Sequence, residues 1–162
     1  MDLIGFYLKE TRNSDGRWLE EIWAWPDEDW EMEHDFIQHL LPLDTPSAFN
    51  ADAPLLDADT IRAWHQDRLL QHNLRTSYER WLGFCGIERM DGKLHLVDRK
   101  ANVWGGFNHN WLRITRVLRC LMLLGLQDEA NEFFALLTEL RDSGTVPIND
   151  ETFGYWQRAV GK

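Results

Sequence analysis

The chain has 162 residues, 17 basic and 27 acidic side chains, a net charge of −10 and 44% hydrophobic residues. That apolar content supports a folded core and argues against a disordered chain, and the negative charge disfavours a sequence-independent nucleic-acid binder. The length fits one domain over residues 1–162. Charge is uneven: residues 1–60 hold 15 acids and 3 bases, residues 61–162 hold 12 acids and 14 bases. An acidic front packed on a neutral-to-basic back is the plain reading of that asymmetry.

The start, Met1-Asp2-Leu3-Ile4-Gly5, has no basic segment followed by an apolar run, so no signal peptide is expected. The most apolar stretch, Val117 to Leu126, contains Arg119 and falls far short of the ~20 residues of a membrane span. Cys85 and Cys120 lie within apolar helical patterns and read as reduced core residues of a cytoplasmic protein.

Helical signals dominate. A short apolar segment, Leu3 to Leu8, ends near the turn Asn13-Ser14-Asp15-Gly16, and a second runs from Arg17 to about Trp25, stopped by Pro26. Pro26 followed by Asp27, Glu28 and Asp29 is a helix start, and the pattern predicts one helix over about 27–41. Trp30, Ile37, Leu40 and Leu41 form its apolar arc, with His34 and Gln38 on the edge. Residues 42–57 carry three prolines and read as a long ordered loop pinned by Leu43, Phe49, Leu55 and Leu56.

Asp57 caps the next helix, which shows Ile61, Trp64, Leu70, Leu74, Tyr78, Trp81, Leu82 and Cys85, bends near His72-Asn73 and stops at Gly86. Asp91-Gly92 within residues 87–97 signals a small hairpin or an irregular excursion, followed by a polar, Gly-rich stretch. Helices are then expected over 110–124 and about 127–142. A last helix, capped by Asn149 or Asp150, holds Phe153, Trp156 and Val160. The expected fold is all-α: a compact bundle of six or seven helices.

Two segments carry a family resemblance: HDFIQHLLPLDTPSAFNADAPLL (34–56) and FNHNWLRITRVLRCLMLLGLQDEA (107–130), with WLGFCGI (81–87) between them. Together they resemble the conserved region of the opioid growth factor receptor family, which has vertebrate members and shorter bacterial relatives. The resemblance extends from about Gly16 to residue 140 and implies a bare conserved module of the short, bacterial type, without the vertebrate repeat tail. Vertebrate members are peptide-binding proteins of the nucleus and perinuclear membranes. The family supplies no catalytic residue and no cofactor to carry over.

Two polar groups are candidate ligand-binding sites. His34 and Gln38, one turn apart, either orient a ligand or satisfy backbone groups of the 43–56 loop. Asn108, His109, Asn110, Arg113 and Arg116 gather at a helix start, where N–H groups and guanidinium forks favour an anion. The bland alternative is that an asparagine merely caps the helix while the arginines pair with carboxylates. The other histidines, His39, His65, His72 and His95, show no zinc spacing, so no metal is expected. No phosphate-loop, dinucleotide or nucleophile-elbow motif occurs. Most of the nine tryptophans read as core, with Trp23, Trp25 or Trp104 as alternative groove-lining residues.

These observations support a non-enzymatic helical module that binds a peptide, a protein or a small anion. The alternative is an enzyme using His34 or His109 as acid–base, with Arg113 and Arg116 holding an anionic substrate.

Overall fold

The computed structural model describes residues 1–162. In chain order the helices are α1 (Leu3–Tyr7), α2 (Leu19–Ala24), α3 (Asp27–Met32), α4 (Phe36–Leu40), α5 (Ala58–Gln66) and α6 (Arg68–Phe84). The strands β1 (Ile87–Met90) and β2 (Lys93–Leu96) precede α7 (Ala101–Trp104), α8 (His109–Leu123), α9 (Gln127–Asp142) and α10 (Asp150–Ala159). The chain forms two compact units, Met1–Arg80 and Trp81–Lys162, with the boundary falling inside α6.

In the first unit α1 to α4 are short, and the break between α3 and α4 falls where large rings converge. The expected helix over 27–41 is two helices, broken where Glu33 takes an extended conformation (φ −79°, ψ 136°). On one continuous helix, Trp30 and Phe36 would point about 120° apart. The break brings their rings to 5.1 Å, and Trp25 lies 5.4 Å from the same Phe36 ring. Asp27, Glu31 and Asp35, spaced four residues apart, would also repel one another along an unbroken helix.

The helix expected from Asp57 to Cys85 also divides. Its break lies at Asp67 rather than near His72-Asn73, because the Asp67 carboxylate accepts from the N–H groups of Leu69 and Leu70 and starts α6 afresh. Asn73 does not bend α6; it is buried, and its amide donates to the Tyr7 carbonyl at 2.7 Å. A buried hydrogen-bond relay joins four elements. The Trp23 indole N–H donates to Ser77 Oγ (2.9 Å), Ser77 and Tyr7 hydroxyls lie 2.8 Å apart, and Tyr7 O–H donates to the Leu40 carbonyl. Only one orientation of the hydroxyl protons satisfies all three links, which fixes α1, α2, α4 and α6 together.

The loop after α4 is closed by a parallel bridge between Leu43 and Leu55, with Leu56 N–H donating to the Leu43 carbonyl at 2.9 Å. Leu56 is buried, but Phe49 is 80% exposed and does not pin the loop. Local turns made by Ser47 and Asn50 satisfy the tip's backbone and leave Phe49 outside.

The second unit follows its apolar periodicity closely. Asp91 and Gly92 both have positive φ (54° and 74°), as a tight two-residue hairpin requires, and β1 pairs with β2 antiparallel, Ile87 opposite Leu96. At the hairpin's base the Gly86 carbonyl accepts from Val97 and Asp98 N–H groups. A Cβ at Gly86 (φ 75°) would lie 2.0 Å from the Asp98 carbonyl oxygen, so only glycine fits. The hairpin is tied to α9 by a two-pronged Arg89–Glu132 pair (2.6 and 2.8 Å). Helix α8 packs on both α9 and α10, and Phe134 stacks on Phe153 at 5.4 Å. The architecture is thus mainly helical with one small hairpin. The helices number three more than the expected seven: the breaks at 33–35 and Asp67, and the four-residue α7.

Candidate functional site

The sequence-predicted residues fall into the two units: His34 and Gln38 in the first, Asn108, His109, Asn110, Arg113 and Arg116 in the second. His34 is exposed in the link between α3 and α4. Gln38 is 6% exposed, and in the amide orientation that satisfies both ends its nitrogen donates to the carbonyls of His34 (3.2 Å) and Asp35 (2.8 Å). Its partners are therefore the backbone just before α4, not the loop at 43–56.

In the second unit two asparagines knit α7 to the start of α8. Asn108 Oδ1 accepts from Asn110 N–H at 2.8 Å, which caps α8, while its amide donates to the carbonyls of Val103 (2.9 Å) and Gly106 (2.7 Å). The buried Asn110 amide donates to the Asn102 carbonyl at 2.9 Å, and its oxygen accepts from Arg113 Nη1 at 3.2 Å. Arg113 is itself buried. His109 is the exposed first residue of α8, and Arg116 is partly buried one turn beyond Arg113. Burial lowers the Arg116 pKa from its ordinary value, and it pushes the fully buried Cys120 thiol, one turn further on, far up. Such a thiol stays protonated and is a poor nucleophile.

The same scaffold carries a feature absent from the sequence reading. The Trp111 indole donates to the Val103 carbonyl (2.6 Å), and Trp156 donates to the Trp111 carbonyl (3.2 Å). Above these buried rings lies a groove of about 370 Å³ between the first half of α8 and the start of α10. Phe107, Leu112 and Tyr155 line it and are 66%, 45% and 45% exposed, with Trp111 as its floor. Glu151 is the one charged side chain in its lining, and it accepts from the Tyr155 hydroxyl at 3.2 Å. His109 is not part of the lining. The signal was present in the sequence as Leu112 on the polar side of α8 and Tyr155 on that of α10. Their adjacency depends on the α8–α10 contact, which no local pattern encodes.

No group of three or more His, Cys, Asp or Glu side chains is placed to hold a metal ion. No helix is long and apolar enough to cross a membrane.

Asn108, Asn110 and Arg113 lie in one of the segments that carried the family resemblance, and comparison with known proteins agrees on the family. The profile of the opioid growth factor receptor (OGFr) conserved region matches residues 1–161. The chain belongs to that family. The human opioid growth factor receptor is 34% identical over 134 residues, covering 76% of this chain and 20% of its own length. The mouse opioid growth factor receptor is 36% identical over 103 residues, 60% of this chain and 16% of its own length. Opioid growth factor receptor-like protein 1 of Xenopus tropicalis is 33% identical over 135 residues, 77% of this chain and 26% of its own length. The chain thus spans about a quarter or less of these relatives. No solved structure matches it significantly.

Proposed function

We propose that the chain is a non-enzymatic binding module of the opioid growth factor receptor type, and that it takes a peptide segment of a partner in the α8–α10 groove. The observation that carries this reading is the cluster of exposed Phe107, Leu112 and Tyr155 over a rigid, hydrogen-bonded tryptophan floor. Exposed aromatic and aliphatic side chains grouped in a concave site supply anchoring surface at little reorganisation cost. Glu151 gives the groove a single negative charge, so the segment that fits is an apolar residue next to a lysine or arginine. The relatives are named receptors, which accords with binding rather than catalysis. Both cysteines are buried and outside any disulfide, in keeping with the reducing cytoplasm in which this reading places the protein.

A small anion held by His109, Arg113 and Arg116 is the competing use of the same helix. It is less favoured, because Asn108, Asn110 and Arg113 spend polar atoms on α7 and on one another. Fluorescence anisotropy distinguishes the two, using labelled eight-residue peptides that carry Leu or Phe beside Lys, with Asp-for-Lys versions as controls and inorganic phosphate as competitor. The expected result is binding of the Lys peptides, weakened at least about tenfold by Leu112→Glu and unchanged by Leu69→Glu on the first unit. Equal binding to the Leu112→Glu protein, or displacement by millimolar phosphate, would overturn the groove reading.

A further inference from the structure

His39 lies on α4 with its side chain only 4% exposed, and its Nδ1 is 3.0 Å from the Asn13 amide nitrogen. Which atom donates is fixed by the rest of the turn. Asn13 Oδ1 already accepts from the N–H groups of Asp15 (3.0 Å) and Arg17 (2.9 Å). The Asn13 amide therefore cannot flip without losing both bonds, and its NH₂ must face the imidazole. His39 Nδ1 must accept, which requires a neutral ring with its proton on Nε2.

The turn that Asn13 organises is otherwise closed by two backbone hydrogen bonds, one of them from Gly16 N–H to the Asn13 carbonyl at 3.0 Å. Asn13 N–H donates to the Arg17 carbonyl (2.9 Å), Gly16 has φ 79°, and Ser14, Asp15 and Gly16 are exposed. The turn delivers Arg17, whose guanidinium sits 4.7 Å over the Trp25 ring and 3.6 Å from the Glu33 carboxylate. Protonating His39 would set N–H against N–H at Asn13. The new donor has one alternative acceptor close by, Asp15 Oδ2, at 3.8 Å.

We propose that the Asn13–His39 pair is a proton-operated latch, holding the 13–17 turn closed on α4 while the imidazole is neutral and releasing it on acidification. Four charged groups act on the ring from the elements around it. Asp15 on the turn and Asp35 at the start of α4 favour the proton, whereas Arg17 and the Met1 amine oppose it. Burial outweighs the two carboxylates, so the His39 pKa lies below its ordinary value of 6.5. The folded state therefore disfavours the proton, so the latch is intact above about pH 6.5 and is lost as pH falls through the lowered value.

The test uses the full chain, uniformly ¹⁵N-labelled. Long-range ¹⁵N–¹H spectra at pH 7.5 should show the His39 proton on Nε2. Exchange protection of the Asp15 and Arg17 amides, corrected for intrinsic rates, should fall about tenfold or more as pH drops from 7.5 to 5. In His39→Asn, where the side-chain oxygen replaces Nδ1 as acceptor, the fall should be less than about twofold. Asp15→Asn provides a second check: without that carboxylate the protonated ring is less favoured, so release in this variant should move to lower pH. A proton on Nδ1 at pH 7.5, protection that does not change with pH, the same loss in His39→Asn, or an unmoved midpoint in Asp15→Asn would each overturn the latch.

Discussion

The two units of this chain are held together by different means. Residues 1–80 carry seven basic and seventeen acidic side chains, so the whole net charge of −10 resides there, while residues 81–162 carry ten of each. The first unit has four helices of six residues or fewer, too short to be stable by themselves. Long polar side chains that cross between elements hold it. Arg80 is the clearest: its guanidinium donates to the carbonyls of Trp23 (3.1 Å) and Trp25 (2.8 Å), pairs with Asp27 (2.9 Å) and lies 4.6 Å over the Trp30 ring. All three bases of residues 1–60 also sit on tryptophans: Lys9 on Trp23, Arg12 on Trp18 and Arg17 on Trp25. The second unit has helices of fifteen and sixteen residues whose apolar faces meet directly. Polar stitching lets short elements turn sharply around large rings, whereas apolar stripes let long helices pack directly and carry an exposed groove.

Five substitutions would break or sharpen this contrast. The largest effect is expected for Trp111→Ala, which deletes a ring 1% exposed and its contacts with Phe107 and Trp156, both at 5.9 Å. Loss of a buried ring of this size costs about 3–5 kcal/mol in urea denaturation. Arg80→Met keeps the aliphatic stem and loses the donors, so the carbonyls of Trp23 and Trp25 lose their guanidinium donor. A loss of about 2–3 kcal/mol is expected, with amide exchange accelerated first at Trp25, just after α2. Tyr7→Phe removes the middle of the four-element relay without creating a cavity and should cost about 1–2 kcal/mol. Combining it with Ser77→Ala should cost less than the sum of the two, since both break the same chain. Leu112→Glu, on the exposed rim of the groove, should move stability by no more than about 0.5 kcal/mol, because it buries nothing new. If Arg80→Met were silent, the view of the first unit as polar-stitched would fail.

The same contrast explains how much the sequence revealed. In the second unit the stripe Trp111, Ile114, Val117, Leu118 and Leu121 marks α8, Asp91-Gly92 marks the hairpin, and Asn149 caps α10 through Thr152 N–H at 2.7 Å. These features are local and legible. In the first unit the break at Glu33 obeys a tertiary demand, the meeting of the Trp25, Trp30 and Phe36 rings, while the break at Asp67 is a local cap that interrupts an otherwise continuous apolar stripe. The Asn13–His39 pair spans 26 residues and the Trp23–Ser77 bond spans 54, beyond any spacing rule. Of the candidate site, the sequence marked the polar start of α8. Asn108 and Asn110 prove to hold α7 in place, and the exposed groove beside them needed α10 to be seen.

The groove reading is tested most directly by mapping contacts on the labelled chain. A Leu–Lys peptide titrated into protein labelled at Leu methyls and aromatic rings should shift Leu112, Phe107 and Tyr155 together, saturably, while Leu43, Leu55 and Leu69 of the first unit stay still. Saturable shifts centred on the first unit, or none in the α8–α10 groove with any of the Lys-bearing peptides, would contradict it.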